Sequence, residues 1–143
     1  MDQEFICPCG SGKPYLDCCR VYHEGKEAEN SLVLMRSRYS AYALNNAEYI
    51  IRTTHPRHPA VSQNLAVWKQ EILQFSLNTE FERLEIVDSL EQNDKATVVF
   101  IAHLKQNGED VSFTERSFFA KVGGRWLYVN GDVFAGERSD LKA

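Results

Sequence analysis

The stretch Ala96-Thr97-Val98-Val99-Phe100-Ile101-Ala102-His103-Leu104 is almost entirely apolar and rich in β-branched side chains. Such a run is typical of a β-strand. Just before it, residues 83–86 alternate charged and apolar side chains, which is the two-residue period of a strand that buries one face. The sequence therefore predicts a sheet in the second half of the chain.

Two more strand-like runs follow, Val111–Val122 and Trp126–Asn130. Short turn signals separate the runs, at residues 92–94, 107–108 and 123–124, and each contains Asn or Gly. Connections this short join antiparallel neighbours, because a parallel pair needs a long crossover. We therefore expect four antiparallel strands.

The residues before the sheet follow a helical period instead. Apolar and aromatic side chains recur at spacings of three and four from Leu32 onward, and either Asn30 or Ser31 is suited to cap the first helix. We predict three helices, at about 31–44, 47–53 and 62–75. Helices grouped before strands, without βαβ alternation, predict an α+β domain in which three helices pack on a curved antiparallel sheet.

Composition limits the classes of function. The chain has 143 residues, enough for one globular domain and a small module. Its formal charge of −4 disfavours general nucleic-acid binding, which normally needs a basic surface. The sequence has no apolar window of about 18 residues, and its first four residues lack the features of a secretory signal. We expect a cytoplasmic protein without membrane contact.

The strongest chemical signal is a cysteine cluster near the N-terminus. All four cysteines, Cys7, Cys9, Cys18 and Cys19, lie within 13 residues, and glycines between the pairs allow tight turns. Two close pairs of thiolates suit tetrahedral zinc, and a site with four protein ligands is structural because it leaves no position for water. Disulfides, a redox pair and unpaired thiols are the alternatives. His23 is a further candidate for the fourth ligand, although an ordinary surface histidine is the simpler interpretation.

The segment Cys-Pro-Cys-Gly-Ser-Gly-Lys, with eight residues between its second cysteine, Cys9, and the pair Cys18-Cys19, resembles the SEC-C zinc motif. Together with residues 34–43, 115–119 and 124–132, it makes the chain similar to the YchJ family. That resemblance implies a domain like nuclear transport factor 2 (NTF2), a cone in which a curved sheet surrounds a pocket. It also implies a protein contact through the zinc motif, and fold analogy suggests a homodimer formed through the sheet.

These patterns divide the chain into a zinc module at residues 1–26, the cone domain at 27–135 and a flexible tail at 136–143. The module has too few aliphatic residues for a core of its own, so we expect zinc to hold it together. We also expect loss of zinc to unfold the module while leaving the cone largely intact.

Charged side chains on apolar faces indicate where a pocket lies. Arg36 falls on the apolar stripe of the first helix, and Glu115 falls on the apolar face of the third strand. They are expected to pair, either as a structural clasp or as part of a ligand pocket. The predicted pocket residues are Arg36, Tyr39, Glu115, Ser117 and Trp126.

Two classes of function follow. In the first, the protein is a noncatalytic adaptor: its zinc module contacts a protein, and its cone supplies a second surface or binds a small molecule. In the alternative, the cone is an active site with His55 or Glu115 as general acid or base, because histidine titrates near neutrality and a carboxyl group can exchange protons. The adaptor is favoured, since no nucleophile, base and orienting group occur together.

Overall fold

A computed structural model describes residues 5–143. The first four residues, which entered the argument against a secretory signal, lie outside the described range. Within it the chain forms the predicted α+β fold. Helices and a cysteine-containing segment precede a single curved antiparallel sheet.

Four α-helices precede the sheet in the described part of the chain: α1 Cys19–His23, α2 Ser31–Ala43, α3 Ala47–Arg52 and α4 Leu65–Leu77. Asparagines set three of the N-termini, because the side chains of Asn30, Asn46 and Asn64 accept hydrogen bonds from the first turns of α2, α3 and α4. The helix α4 begins later than predicted, since Pro59–Ser62 forms a separate 3-10 turn. The short α1, directly after the cysteines, was not predicted.

The strands are β1 Glu80–Gln92, β2 Lys95–Gln106, β3 Glu109–Asp110, β4 Phe113–Val122 and β5 Arg125–Ala135. The sheet order is β1-β2-β4-β5, and the two-residue β3 pairs with β2. The four long strands and their turns confirm the predicted antiparallel meander. Register shifts in β1 and between Phe118 and Phe119 of β4 are bulges, which bend the sheet around the helices.

The inner face of the sheet forms the core with the helices. Alternate residues of β2, from Ala96 to Leu104, pack in one cluster with Leu34, Ile50 and Ile72 from the helices. The intervening residues of β2, including Val99 and Ile101, are also buried, although they lie on the outer face.

The last eight residues, which the sequence predicts to be a flexible tail, contact this outer face. The Arg138 amide donates to Thr114 Oγ1 at 2.8 Å, and the Ala143 amide donates to Asp88 at 2.9 Å. The guanidinium of Arg116 donates to the Lys142 carbonyl at 3.0 Å. Several backbone groups of this segment thus have partners on the sheet.

Among residues 5–143, the helices are all too short or too polar to cross a membrane.

Candidate metal centre and ligand cavity

The four cysteines converge as predicted. The Sγ atoms of Cys7, Cys9, Cys18 and Cys19 all lie within 4.8 Å of one another, and three of the four side chains are buried. The Cys9 and Cys18 sulfurs are 3.6 Å apart. The left-handed conformations of Gly10 and Gly12 form the turn between the cysteine pairs, where a side chain would strain the backbone.

This sulfur cluster fits a tetrahedral metal. Four thiolates at about 2.3 Å from zinc lie about 3.8 Å from one another, close to the observed spacing. Hydrogen bonds from the Cys19 and Cys7 thiols hold the pKa of Cys9 well below its usual range. These hydrogen bonds favour the thiolate at Cys9, which is the form that binds metals, whereas hydrogen bonds to Cys7 and Cys9 raise the pKa of Cys19. The chemistry of the four ligands identifies a metal-binding site.

His23 is not one of the clustered ligands. Its Nδ1 is 2.7 Å from the Tyr15 hydroxyl and its Nε2 is 2.8 Å from the Ser37 carbonyl, so both ring nitrogens have protein partners. It is half-buried rather than an ordinary surface histidine, with its ring 4.7 Å from that of Tyr49. His23 thus connects the cysteine segment to α2 and α3.

Arg36 is not paired with Glu115, contrary to the sequence prediction. Its Nη1 donates to the Cys9 carbonyl at 2.8 Å, on the side of α2 that faces the cysteine cluster. The reason is the metal segment itself, which covers a face of α2 that the helical pattern assigned to the cone interior. Arg36 therefore faces the metal segment and not the interior of the cone.

The cone contains a cavity of about 400 Å³ between the helices and the inner face of the sheet. This volume lies within the range of about 300–1,000 Å³ that is common for small-molecule sites. Three predicted pocket residues, Tyr39, Glu115 and Ser117, line it. The other two predicted pocket residues lie outside this lining: Trp126 packs in the core beside α3, and Arg36 faces the metal segment.

Glu115 is the centre of a polar patch on the cavity wall. Its Oε2 accepts hydrogen bonds from the Tyr128 hydroxyl at 2.6 Å and from the Ser117 hydroxyl at 2.7 Å. Both donors are on the inner face of β4 and β5. The neighbouring Gly131 makes room for the carboxylate, because a Cβ there would be 2.7 Å from Glu115 Cδ.

The arginine in the cavity wall is Arg38 instead of the predicted Arg36. It is 6% exposed and lines the cavity. Its Nη1 donates to the Thr53 and Thr54 hydroxyls and to the Ile50 carbonyl at 2.7–3.2 Å. The guanidinium lies 4.6 Å from the centroid of the Tyr128 ring, a cation–π contact. No carboxylate among residues 5–143 lies within salt-bridge distance of it.

Tyr39 and Tyr42 also line this cavity. The Tyr39 hydroxyl is buried and makes no hydrogen bond in the described part of the chain. Burial raises the pKa of both phenols, so they are neutral near pH 7. Both side chains therefore add uncharged surface to the cavity wall.

His55 and His58 both lie outside the cavity lining. The Nδ1 of His55 accepts from the Arg57 amide at 3.0 Å. That position does not support its predicted role as acid or base in the cavity. His58, which the spacing did not single out, has its ring 5.8 Å from that of Tyr128. Burial lowers the pKa of His58.

Sequence reasoning missed Arg38 and Tyr128. A usable signal existed for Arg38, which lies four residues after Leu34 and four before Tyr42, so all three share a helix face. Tyr128 lies two residues after the predicted pocket residue Trp126, and both side chains face the core, so strand alternation could have found it.

Comparison with known proteins agrees with this architecture. The family model described as the middle NTF2-like domain of YchJ matches residues 30–131. A SEC-C motif protein from Rhodopseudomonas palustris is similar in structure, with a TM-score of 0.78 and 35% identity over 90% of this chain and 98% of that one. A second SEC-C motif protein, from Psychrobacter arcticus, gives a TM-score of 0.75 and 26% identity, covering 96% of this chain and 88% of the other.

These likenesses define a class of protein in which a SEC-C metal motif precedes an NTF2-like domain. A UPF0225 protein of Bordetella pertussis is 38% identical over 133 residues, which are 89% of this chain and 92% of that protein. The chain belongs to the YchJ (UPF0225) family.

Proposed function

We propose that this protein is a noncatalytic binding protein whose cone cavity holds a small, mostly apolar molecule. The observation that carries the proposal is the buried Arg38 guanidinium, which has no carboxylate partner among residues 5–143 and lines a cavity of about 400 Å³. A buried cation without a partner carboxylate is costly, and a function in binding explains why it is present. A reducing compartment such as the cytoplasm suits four cysteines that form no disulfide.

A neutral naphthalene dye, prodan, tests for occupancy of the cavity. We expect its emission to shift to shorter wavelength in the wild-type protein. The variant Ala102→Phe should abolish the shift, because Ala102 lines the cavity and a phenyl ring would occupy it. The matched control is Ala120→Phe, which alters another alanine of the sheet that does not line the cavity. Equal dye binding by the two folded variants would refute the proposal.

The metal in this proposal is zinc, held by Cys7, Cys9, Cys18 and Cys19 in a structural role. The support is the set of four sulfur ligands within 4.8 Å of one another, which leaves no place for a water ligand. Elemental analysis of protein purified without added metal should give about one zinc per chain. Iron, or four reactive thiols without metal, would contradict this assignment.

The adaptor role assigns a protein contact to the outer side of the metal segment. Its support is three exposed apolar side chains of the metal segment, Phe5, Ile6 and Val21, which are 39%, 58% and 40% exposed. A photocrosslinking residue at Ile6 should join the chain to a discrete protein partner in cells. The control is the same residue at Val133, which is 64% exposed and lies on β5 away from the metal. The same adducts from both positions would argue against a specific contact.

A further inference from the structure

Unpartnered atoms on the cavity wall indicate what kind of molecule it binds. We propose that the cavity selects an electrically neutral ligand with an apolar ring system and an adjacent hydrogen-bond donor and acceptor, as in a primary amide. This inference rests on the proposed function, since it names the class of ligand for the same cavity.

Glu115 supplies the acceptor. Its Oε2 is occupied by the Tyr128 and Ser117 hydroxyls, whereas its Oε1 has no hydrogen-bond partner in residues 5–143. An ionised carboxylate accepts on both oxygens and donates on neither. A ligand group that meets Oε1 must therefore bring an N–H or O–H.

Arg38 supplies the donor. All three of its hydrogen bonds to described residues come from Nη1, which leaves the N–H groups of Nε and Nη2 without an acceptor in residues 5–143. A guanidinium has five N–H groups and cannot accept. A ligand group that meets Arg38 must therefore bring a carbonyl or another acceptor.

Tyr128 places these two groups side by side. Its ring lies under the Arg38 guanidinium, and its hydroxyl donates to Glu115 at 2.6 Å. The guanidinium and the carboxylate thus contact the same phenol side chain. A single compact group on the ligand, with a carbonyl next to an N–H, matches this arrangement.

The charges of the wall favour a neutral ligand. Arg38 and Glu115 carry opposite charges, so a carboxylate would be repelled by Glu115 and an ammonium or amidinium by Arg38. Glu71 is also part of the lining, but it is exposed at the surface and its charge is screened by solvent. The remaining surface is mostly aromatic and aliphatic, which suits an apolar ring: Trp68, Ile72, Phe75, Phe100 and Phe113.

Four probes with the same naphthalene ring test the inference: 2-naphthamide, methyl 2-naphthoate, 2-naphthoate and 2-naphthamidine. Calorimetry should show the amide binding at least about tenfold more tightly than each of the others, because only the amide satisfies both groups without a net charge. If the ester or either ion binds as tightly as the amide, the inference is overturned while binding by the cavity stands. If prodan and all four probes fail to bind, the proposed function fails with it.

The variant Glu115→Gln tests the source of this selectivity. It preserves the shape of the side chain but removes the negative charge, so the carboxylate probe should gain affinity relative to the amide by about tenfold or more. The matched control is Glu80→Gln, which removes an exposed charge outside the cavity lining and should leave the order of the probes unchanged. Equal effects of the two substitutions, or an unchanged order in both, would overturn the assignment of Glu115.

Discussion

Gly131 leaves space on β5 that the Glu115 carboxylate occupies. A Cβ at residue 131 would come within 2.7 Å of Glu115 Cδ, so Gly131→Ala must displace the carboxylate from the Tyr128 and Ser117 hydroxyls. We expect a loss of roughly 1–2 kcal/mol in the free energy of unfolding, the usual cost of leaving buried polar groups unpaired.

A double-mutant cycle with Glu115→Ala checks this contact. In the Glu115→Ala background, Gly131→Ala has no carboxylate to displace and should cost almost nothing by urea unfolding. Val133→Ala, on the same strand but exposed, serves as the control for a strand substitution. Additive effects of the two cavity substitutions would show that the glycine does not act through Glu115.

His58 provides a pH-dependent prediction at the cavity edge. Burial is the main cause that lowers its pKa below 6.5, and the Arg38 charge adds to it, whereas Glu115 opposes it. Protonation therefore favours the unfolded chain, and the stability contributed by neutral His58 is complete above pH 6.5 and lost as the pH falls through and below that value.

In the wild-type protein, the Ala60 amide donates a hydrogen bond to His58 Nδ1 at 3.0 Å. The substitution His58→Asn removes the titrating group and keeps a side-chain acceptor for this amide. Thermal melting of the two proteins between pH 7.5 and 5 should show the variant losing less stability than the wild type. Parallel melting curves across this range would contradict a depressed pKa for His58. Acid-induced loss of metal affects both proteins alike and cancels in the comparison.

Strand alternation located Glu115, but the helical period predicted Arg36 in the cavity, where the structure has Arg38. Strand β4 has one face toward the core, so its alternation has a single interpretation. Helix α2 is buried on several sides, including Leu34, Ser37, Arg38 and Ala41. Its sequence could not tell the cone interior from the surface that the metal segment covers, because that contact joins residues far apart in the chain.

The two arginines of α2 should therefore respond differently to substitution. Arg36→Met removes the hydrogen bond to the Cys9 carbonyl and should speed metal release to a chelator about fivefold, the equivalent of roughly 1 kcal/mol. Arg38→Met lies on the cavity side and should leave this rate unchanged. A chelator assay that follows metal release in both variants measures the difference. Equal rates would mean that Arg36 does not support the metal site.

Residues 136–143 lie on the face of the sheet through which a homodimer is expected to form. This segment bonds to Thr114 and Arg116 of β4 and to Asp88 of β1. Deleting it should uncover outer-face apolar side chains such as Val99 and Ile101, which are now buried.

We expect the full chain to sediment as a monomer and the chain lacking residues 136–143 to associate as concentration rises. The single substitution Arg116→Ala, which removes one contact to the segment but leaves it in place, serves as the milder comparison. A deleted chain that stays monomeric and melts at the original temperature would show that the segment covers no interface.

Direct contacts join the metal segment to the cone. The sequence suggested two independent units, but His23 contacts Ser37 and Tyr49, and Arg52 donates to the Tyr22 carbonyl at 3.1 Å. These contacts anchor the metal segment to α2 and α3, which are part of the cone core. Loss of the metal should therefore weaken the cone as well.

Tryptophan fluorescence can follow the cone alone, because Trp68 and Trp126 both lie in its core and none lies in the metal segment. After chelation, the midpoint of the thermal transition reported by these residues should fall by about 3–5 °C for each kcal/mol of lost coupling. Adding zinc back should restore it. If chelation releases the metal and leaves the tryptophan transition unmoved, the two parts are independent and the contacts of His23 and Arg52 contribute nothing to the stability of the cone.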